Sequence, residues 1–515
     1  MSRFDPFRLM ISLYSKLRRT QLDPVYSLLW AYARFQRIER NTEQGGKKKV
    51  LQKSQVLFRR AHGLVRLLSG TKAPDATLPW FSDEEAEAAT MARNRLFDAL
   101  SGRVHLGAKG SKPYTNSLSP GCEICQNGDW DCNLINRLCT RNCYFCKRHH
   151  SVRTDLDSET EGYTFTTPSA HVDFIKTFKI KGVGFSGGEP LLVKERLLNH
   201  IKAIRKEFGR SIYLWMYTNG DLVDREILMK LRDAGLDEIR FNLSAREYDL
   251  TPVITAKKYI PTITVEIPAI PEDIELVKSL LAEMQSVGVD FLNLHQLSVE
   301  NQNWWELLGR NYHVDCSTGM GIYESEMCAL MLLLQACEQQ LQLPINYCSC
   351  VYKSRFQKRG YRMRRARAVL EGFQEITDAG FVRSLWVSDS ADKIKDLLGR
   401  MTNDACRPSL WKLNRTETAV ALHSSLMPYV DWSSSKLTIL YLEPDIALKK
   451  RVDGLKEANL EPGLRVAKSA PGLGQEFFEC WRKRYIEKQN VKQEAAKLRE
   501  LAVFEKLESG LPEVY

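Results

Sequence analysis

The chain has 515 residues, 43% of them hydrophobic, 27% charged, with a formal net charge of +11. That length and apolar content support a buried core spread over two to four domains, and no apolar run approaches the roughly 20 residues of a bilayer-spanning helix, "VYSLLWAYARF" being broken by Arg34. Thirteen cysteines are too sparse for a disulfide scaffold, and the N-terminus lacks a secretory signal's compact apolar core, so a reducing, cytoplasmic setting is expected.

Residues 1–72 carry 16 Lys or Arg against 4 Asp or Glu, which leaves the rest of the chain near neutral. Such a stretch reads as a basic arm for an anionic partner, as a solvated helical surface, or in part as an organelle-targeting segment. Apolar positions at three- and four-residue intervals in "FRLMISLYSKL" and "VLFRRAHGLVRLL" predict helices through residue 100. "GAKGSKPYTNSLSPG" reads as a linker. Three parts follow: a basic helical region 1–115, a core 116–350 and a C-terminal extension 351–515.

In the core, short apolar runs alternate with helical patterns. The predicted strands are "DCNLIN" (131–136), "GVGFS" (182–186), "SIYLWMY" (211–217), "EIRFNLS" (238–244), "PTITVEI" (261–267) and "FLNLHQL" (291–297). Helical runs such as "LLVKERLLNHIKAIRKEF" separate them, implying a parallel sheet covered by helices. The expected fold class is α/β, a partial (β/α)6 TIM-like barrel with a helical N-terminal region and a small α/β C-terminal extension. Beyond 300, "IYESEMCALMLLLQACEQQ" reads as a helix and "LPINYCSCVY" as a further strand. "FVRSLWVS" and "KLTILYLEP" read as strands of the extension, and the charged tail from Cys480 as one terminal helix.

Chemistry is expected at the carboxyl ends of the parallel strands. Six of the thirteen cysteines fall between Cys122 and Cys146, and "CTRNCYFC" packs Cys139, Cys143 and Cys146 into the loop after the first core strand. Three thiolates can hold three irons of a four-iron cluster and leave the fourth iron open. Zinc is the competing metal, and His149 or His150 would then have to supply its fourth ligand. One β/α unit later, "FSGGEP" places Ser186, Gly187, Gly188 and Glu189 at a strand end, where glycines admit close backbone approach and Glu189 offers an acceptor for an amine.

The two motifs together resemble the radical S-adenosylmethionine (radical SAM) superfamily, over roughly residues 120–300. The resemblance implies that Cys139, Cys143 and Cys146 ligate a [4Fe–4S] cluster whose open iron chelates SAM. It also implies that Gly187, Gly188 and Glu189 receive the methionine amine and that Phe145 lies against the adenine. One-electron reduction would cleave SAM to a 5′-deoxyadenosyl radical, which abstracts hydrogen from the substrate. An electron donor such as flavodoxin or ferredoxin is the implied partner.

Later strand ends are weaker candidates for SAM or substrate contacts: Thr218 and Asn219 in "YTNG", Asn242 and Ser244 in "FNLSA", Glu266 in "VEIP" and His295 in "LHQL". For the first pair a plain turn, with Asp221 capping the next helix, is the alternative. "GCEIC" (Cys122, Cys125) and "CSC" (Cys348, Cys350) suggest an auxiliary iron–sulfur cluster, a zinc site or no shared metal. Cys132, Cys316, Cys328, Cys337, Cys406 and Cys480 read as packed thiols. "KSRFQKRGYRMRRAR" (353–367), with eight basic residues and no acidic one, reads as a groove for an anionic substrate, in which Phe356 and Tyr361 could stack on bases, or as a solvated helix face. The expected substrate is a peptide or protein. RNA is the alternative, and a zinc-stapled binding protein without catalysis is a third reading.

Overall fold

The computed structural model describes residues 81–147, 157–160, 163–300, 303–308, 310–315, 320–446, 462–473, 475–487 and 496–507. The basic arm 1–72, His149, His150 and Cys316 lie outside these residues, as does the side chain of Cys480.

Helix α1 (Asp83–Leu100) is closed at its start by a capping box between Ser82 and Glu85. The hairpin β1 (His105–Gly107) and β2 (Lys112–Tyr114) precedes helix α2 (Pro120–Asn127), which Ser119 caps and Gly128 ends in the left-handed conformation. Seven strands then lie parallel, side by side and in chain order: β3 (Trp130–Asn136), β6 (Gly182–Gly187), β7 (Tyr213–Thr218), β8 (Glu238–Phe241), β9 (Thr262–Pro268), β10 (Phe291–His295) and β13 (Ile345–Cys348). A hairpin of β4 (Ser158–Thr160) and β5 (Tyr163–Phe165) borders β3, and β2 borders β13. Helices α3 (Pro168–Phe178), α4 (Lys194–Phe208), α5 (Arg225–Ala234), α6 (Thr251–Ala256) and α7 (Ile274–Ser286) occupy the crossovers. Between β10 and β13 come α8 (Trp304–Leu307), the pair β11 (Val314–Asp315) and β12 (Gly321–Ile322), and α9 (Tyr323–Glu338).

Each of the six predicted strands falls within three residues of an observed one, and "LPINYCSCVY" supplies the seventh. The predicted linker is instead part of the sheet. Tyr114 pairs with Asn346 of β13, and Ser111, Lys112, Thr115 and Ser119 are buried. Its Gly, Ser and Pro residues build a hairpin and a helix cap, so the core begins ahead of residue 116. Helix α1 joins it through Arg93, which grips Glu326 of α9 with two buried hydrogen bonds of 2.7 and 3.2 Å.

Side chains alternate along every strand. One set, including Val183, Phe185, Leu214, Met216, Ile239, Phe241, Ile263, Val265, Leu292, Leu294 and Ile345, packs with the helices in the main apolar core. The other set is polar on four neighbouring strands: Glu238 and Arg240, Thr264 and Glu266, Asn293 and His295, Asn346 and Cys348. Burying that set is costly unless every member finds a partner, and helix α2 lies against it.

A second core lies in an antiparallel sheet of β14 (Glu375–Ile376), β15 (Val382–Ser388), β16 (Trp411–Leu413), β17 (Ala419–Leu422), β18 (Lys436–Ile446) and β19 (Pro462–Leu473). Helix α10 (Lys358–Val369), entered through a π-helical turn at Tyr352–Gln357, links the two sheets, and α11 (Ala391–Asn403) packs on the second. The charged tail forms two helices, α12 (Gln475–Tyr485) and α13 (Ala496–Glu505), rather than one. Glu505 is buried, accepting hydrogen bonds from Arg383 at 2.6 Å and Tyr441 at 2.5 Å.

Candidate active site

At the carboxyl ends of β3 and β6 the two motifs are stitched together. Asn136 donates its side-chain amide to the Glu189 carbonyl at 2.9 Å and accepts the Leu138 N–H at 3.1 Å. Gly188 N–H donates to the Asn136 carbonyl at 3.1 Å, and Glu189 N–H to the Leu138 carbonyl at 2.6 Å. The glycines make this approach sterically feasible. A Cβ on Gly188 would sit 1.7 Å from the Leu138 oxygen, and one on Gly187, whose φ is +124°, 2.1 Å from the Asn136 oxygen. These glycines therefore let the backbones of the two motifs meet.

Cys139, Cys143 and Cys146 follow on this fixed stem, all half-buried, with Cys146 N–H donating to the Cys143 carbonyl at 2.9 Å. Burial, then the neighbouring thiols, push Cys143 up to about 11, so a Cys143 thiolate here needs a cation beside it. The donor set suits an iron–sulfur cluster. Asp221 pins the loop from β7's side, accepting Thr140 Oγ1 at 2.7 Å, two Arg141 contacts at 2.7 Å each and Arg246 at 3.0 Å. The hydrogen bond from Arg141 is the main reason its carboxyl is held at about 2. Asp221 thus fixes the cluster loop and is not a helix cap; Asp224 caps α5. Sequence reasoning missed Arg141, whose only signal was a charge inside the cysteine motif.

The Glu189 carboxylate is 1% exposed. It accepts Leu191 N–H at 3.1 Å, Asn219 N–H at 2.8 Å and the Thr218 hydroxyl at 2.9 and 3.0 Å. Burial pushes it up to about 7. Glu189 therefore braces two strand ends. Thr218 is spent in the same brace. Asn219 donates to Thr140 Oγ1 at 2.8 Å and lies 3.8 Å from Cys139 Sγ. Asn242 and Ser244 do not share a strand face: β8 ends at Phe241, and Ser244 Oγ donates to Asn242 Oδ1 at 2.6 Å across a short turn. Ser186, Asn242 and Ser244 remain half-buried. Phe145 packs edge-to-face on Tyr144 at 5.3 Å and borders a small apolar cluster with Ile270 and Leu297.

Glu266 and His295 do meet, 2.8 Å apart. Glu266 also accepts Arg240 at 2.9 Å and Asn293 at 3.0 Å, and Lys353, from the π-helical turn, sits 3.0 Å from His295 Nδ1. Burial opposes its ionisation, yet His295 and Arg240 hold the Glu266 carboxyl well below its ordinary value. Burial and then Lys353 lower His295 to about 4, and burial lowers Lys353 to about 8. Arg240 was absent from the predicted site, and Lys353 entered it only as the first residue of the basic segment; a cation alternating into the apolar run "EIRF" was the available signal for Arg240.

Three of the eight basic residues of segment 353–367 are committed within the chain. Arg359 donates to the Asp378 carbonyl, Arg362 to the Ala379 carbonyl and Arg364 to the Gly128 and Trp130 carbonyls. Tyr361 stacks on Trp130 at 6.0 Å. Gly360 allows α10 to cross the end of α2, since a Cβ there would lie 2.5 Å from Gly128 Cα.

A parallel α/β sheet whose strand ends carry three cysteines stitched to a glycine-rich turn is an arrangement that suits a metal cluster with an open coordination position. Residues 133–267 match the Radical SAM superfamily. A Methanocaldococcus jannaschii protein named, by inference, as a glycyl-radical enzyme activating enzyme is 31% identical over 294 residues, covering 55% of this chain and 77% of that one. The Fe-coproporphyrin III synthase of Methanosarcina barkeri is 31% identical over 109 residues, 21% of this chain and 25% of the synthase. The crystal structure of Streptococcus suis SuiB bound to S-adenosylmethionine covers 57% of this chain and 62% of that one, at 11% identity and a TM-score of 0.32.

The chain belongs to the radical SAM superfamily. It is accordingly an enzyme that uses a [4Fe–4S] cluster and S-adenosylmethionine. Among the described residues no helix is long and apolar enough to cross a membrane.

Proposed function

We propose that this enzyme abstracts hydrogen from a peptide or protein substrate held within a partial barrel. The observation that carries the reading is the 294-residue similarity to a relative named for activating another protein. The reading of RNA as substrate, which drew on both basic segments, loses part of its support because Arg359, Arg362 and Arg364 of α10 are committed to backbone carbonyls.

The curvature rests on α2. Adjacent strands are about 4.8 Å apart, so a flat sheet would separate β6 from β13 by roughly 24 Å, whereas an eight-residue helix is about 12 Å long. Yet α2 meets both. Ile124 lies against Gly182 of β6, Gly121 against Trp215 and Arg240 of β7 and β8, and Cys122 against Asn293 and Asn346 of β10 and β13. On this reading the sheet curls around the helix, which plugs one end of the lumen.

In this reading Cys139, Cys143 and Cys146 hold the cluster, and Gly187 to Glu189 set the strand end beside which SAM binds. The bound cluster and SAM supply the one-electron cleavage and the hydrogen-abstracting radical. The stitching through Asn136, Leu138 and Gly188 fixes the loop relative to the strand ends, and Asp221 prevents it from swinging out. Glu266, His295 and Lys353 line the lumen below, where they orient a substrate and exclude water from the reacting end.

Anaerobic protein given SAM, a strong reductant and a deuterated peptide carrying its natural sequence should transfer deuterium into 5′-deoxyadenosine, and Cys143→Ala should abolish SAM cleavage. Transfer from RNA and from no peptide would refute the substrate assignment. Cleavage undiminished in Cys143→Ala would refute the cluster assignment.

A further inference from the structure

Three more thiols converge away from the active-site loop. Cys122 and Cys125 stand one helical turn apart on α2, and so on one face of it. Cys348 is the last residue of β13. Cys122 and Cys348 share a single amide nitrogen: Asn346 Nδ2 lies 3.9 Å from Cys122 Sγ and 3.4 Å from Cys348 Sγ. Cys125 Sγ is 3.3 Å from the Tyr352 hydroxyl, and the Lys112 ammonium lies over the same tyrosine ring, 4.5 Å from its centre. That ammonium is also 3.0 Å from Cys348 Sγ. Cys350, the fourth cysteine expected here, turns elsewhere, its sulfur toward the Leu297 carbonyl and its N–H to Gln296.

Two features ask for a charged group among these sulfurs. Lys112 is 1% exposed, and its polar partner is Cys348 rather than a carboxylate. The two carboxylates of the polar face, Glu238 and Glu266, are engaged by Arg240, and Glu266 by His295 as well. A buried ammonium needs an anion beside it. The second feature is the supply of donors: Lys112 Nζ on Cys348, Gln357 Nε2 at 3.2 Å from Cys125, Asn346 Nδ2, which bonds Asn293 Oδ1 at 3.0 Å and also faces Cys348 and Cys122, and Asn293 Nδ2, which bonds Glu266 at 3.0 Å and lies 3.3 Å from Cys122. Neutral thiols are weak acceptors, whereas N–H groups directed at metal-bound thiolates stabilise and tune the centre.

We propose that Cys122, Cys125 and Cys348 bind a second, thiophilic metal centre. Three thiolates on a divalent ion, or on a four-iron cluster of charge +2, leave one negative charge, which the Lys112 ammonium balances. Zinc and an iron–sulfur cluster share this chemistry. The centre ties α2, at the start of the core, to the last parallel strand, closing a long loop whose ends would otherwise cost entropy to hold together.

The test separates this site from the active-site cluster. A Cys139→Ala, Cys143→Ala, Cys146→Ala chain, purified without oxygen from cells supplied with iron and zinc, should retain about one zinc or about four iron with sulfide per chain. Adding Cys348→Ala should remove at least nine-tenths of that metal, and adding Cys350→Ala should leave it. Retained zinc or retained iron with sulfide both support the site and say which metal fills it. A folded triple variant free of metal overturns the proposal, as does loss caused by Cys350→Ala and not by Cys348→Ala. Should the triple variant not fold, Cys348→Ala in the natural chain must lose one centre while the SAM-induced change in the remaining cluster's spectrum persists. Absence of SAM cleavage in the natural chain would strike the proposed function and leave this inference untouched.

Discussion

Replacing Gly188 by alanine puts a methyl group where no space exists. The new Cβ would lie 1.7 Å from the Leu138 oxygen, and real contacts stop near 3.0 Å, so strand end and cysteine loop must part by at least about 1.3 Å. Parting them breaks the Gly188 N–H bond to Asn136 and the Glu189 N–H bond to Leu138. At about 1–3 kcal/mol for each of the two N–H donors left unpaired, the cost is about 2–6 kcal/mol, concentrated at the base of the loop that carries Cys139. A displacement of about 1 Å in a reacting geometry costs about 100-fold in rate. Gly188→Ala should therefore lose iron on desalting and show at least a 100-fold drop in 5′-deoxyadenosine formation. Gly399→Ala is the control: nothing lies within 4 Å of its Cβ, and alanine in a helix interior should stabilise by about 0.5–1 kcal/mol. Iron content and SAM cleavage equal to the natural chain's in Gly188→Ala would refute the argument that the two motifs are welded through this glycine.

Two further predictions concern stability. Arg93→Met should destabilise the chain by about 3–5 kcal/mol, because it deprives the buried Glu326 of its guanidinium; adding Glu326→Leu should recover most of the loss in urea unfolding, and an additive pair would contradict the reading. Burial, then His171, lower His200 to about 3, so the unfolded chain binds a proton that the folded chain refuses. Stability from this residue is present above pH 6.5 and lost progressively toward pH 3, by up to about 3 kcal/mol at pH 4. Glu189, raised to about 7, works in the opposite direction between pH 7 and 4.5. The difference between the natural chain and His200→Asn isolates the histidine: the variant's unfolding midpoint should fall less between pH 7 and pH 4.5, and equal slopes would remove His200 from the account.

The parallel strands were legible because both faces are buried, so their sequences are apolar enough to stand out from the helices between them. Gly, Ser and Pro around Lys112 had the opposite effect, since a hairpin and a helix cap use the same residues as a linker. The charges in 353–367 suggested an open groove because sequence cannot show that Arg359, Arg362 and Arg364 end on carbonyl groups. In the site, cysteine spacing marked out the thiol loop, but the stitching through Asn136 and Asp221 crosses between strands distant in the chain and leaves no local pattern. Pairing of Glu266 with His295 is of the same kind: each residue is unremarkable in its own strand, and only the register of β9 against β10 brings them together.

That pair supports a final prediction. A charged Lys353 amine carries only donors, so the nitrogen it faces, His295 Nδ1 at 3.0 Å, must accept. His295 Nε2 then carries the hydrogen and donates it to Glu266 Oε1, 2.8 Å away. The other Glu266 oxygen takes Arg240 and Asn293. Glutamine at this position has one acceptor oxygen, and three donors converge on it. If that oxygen serves Arg240 and Asn293, the amide N–H groups confront the Nε2 hydrogen; relief requires the imidazole to move its hydrogen to Nδ1 and Lys353 to become neutral. Glu266→Gln should therefore cost about 1–3 kcal/mol and lower the pKa of Lys353 below its value of about 8. The iron held by the Cys139–Cys146 loop should be unchanged, because that loop is held by Asn136 and Asp221 and not by this network. Substrate-dependent deuterium transfer should fall more than SAM cleavage without substrate, since the residues lost from register line the lumen. An unchanged unfolding midpoint together with unchanged coupling of the two activities would mean that the charge on Glu266 organises nothing in the lumen.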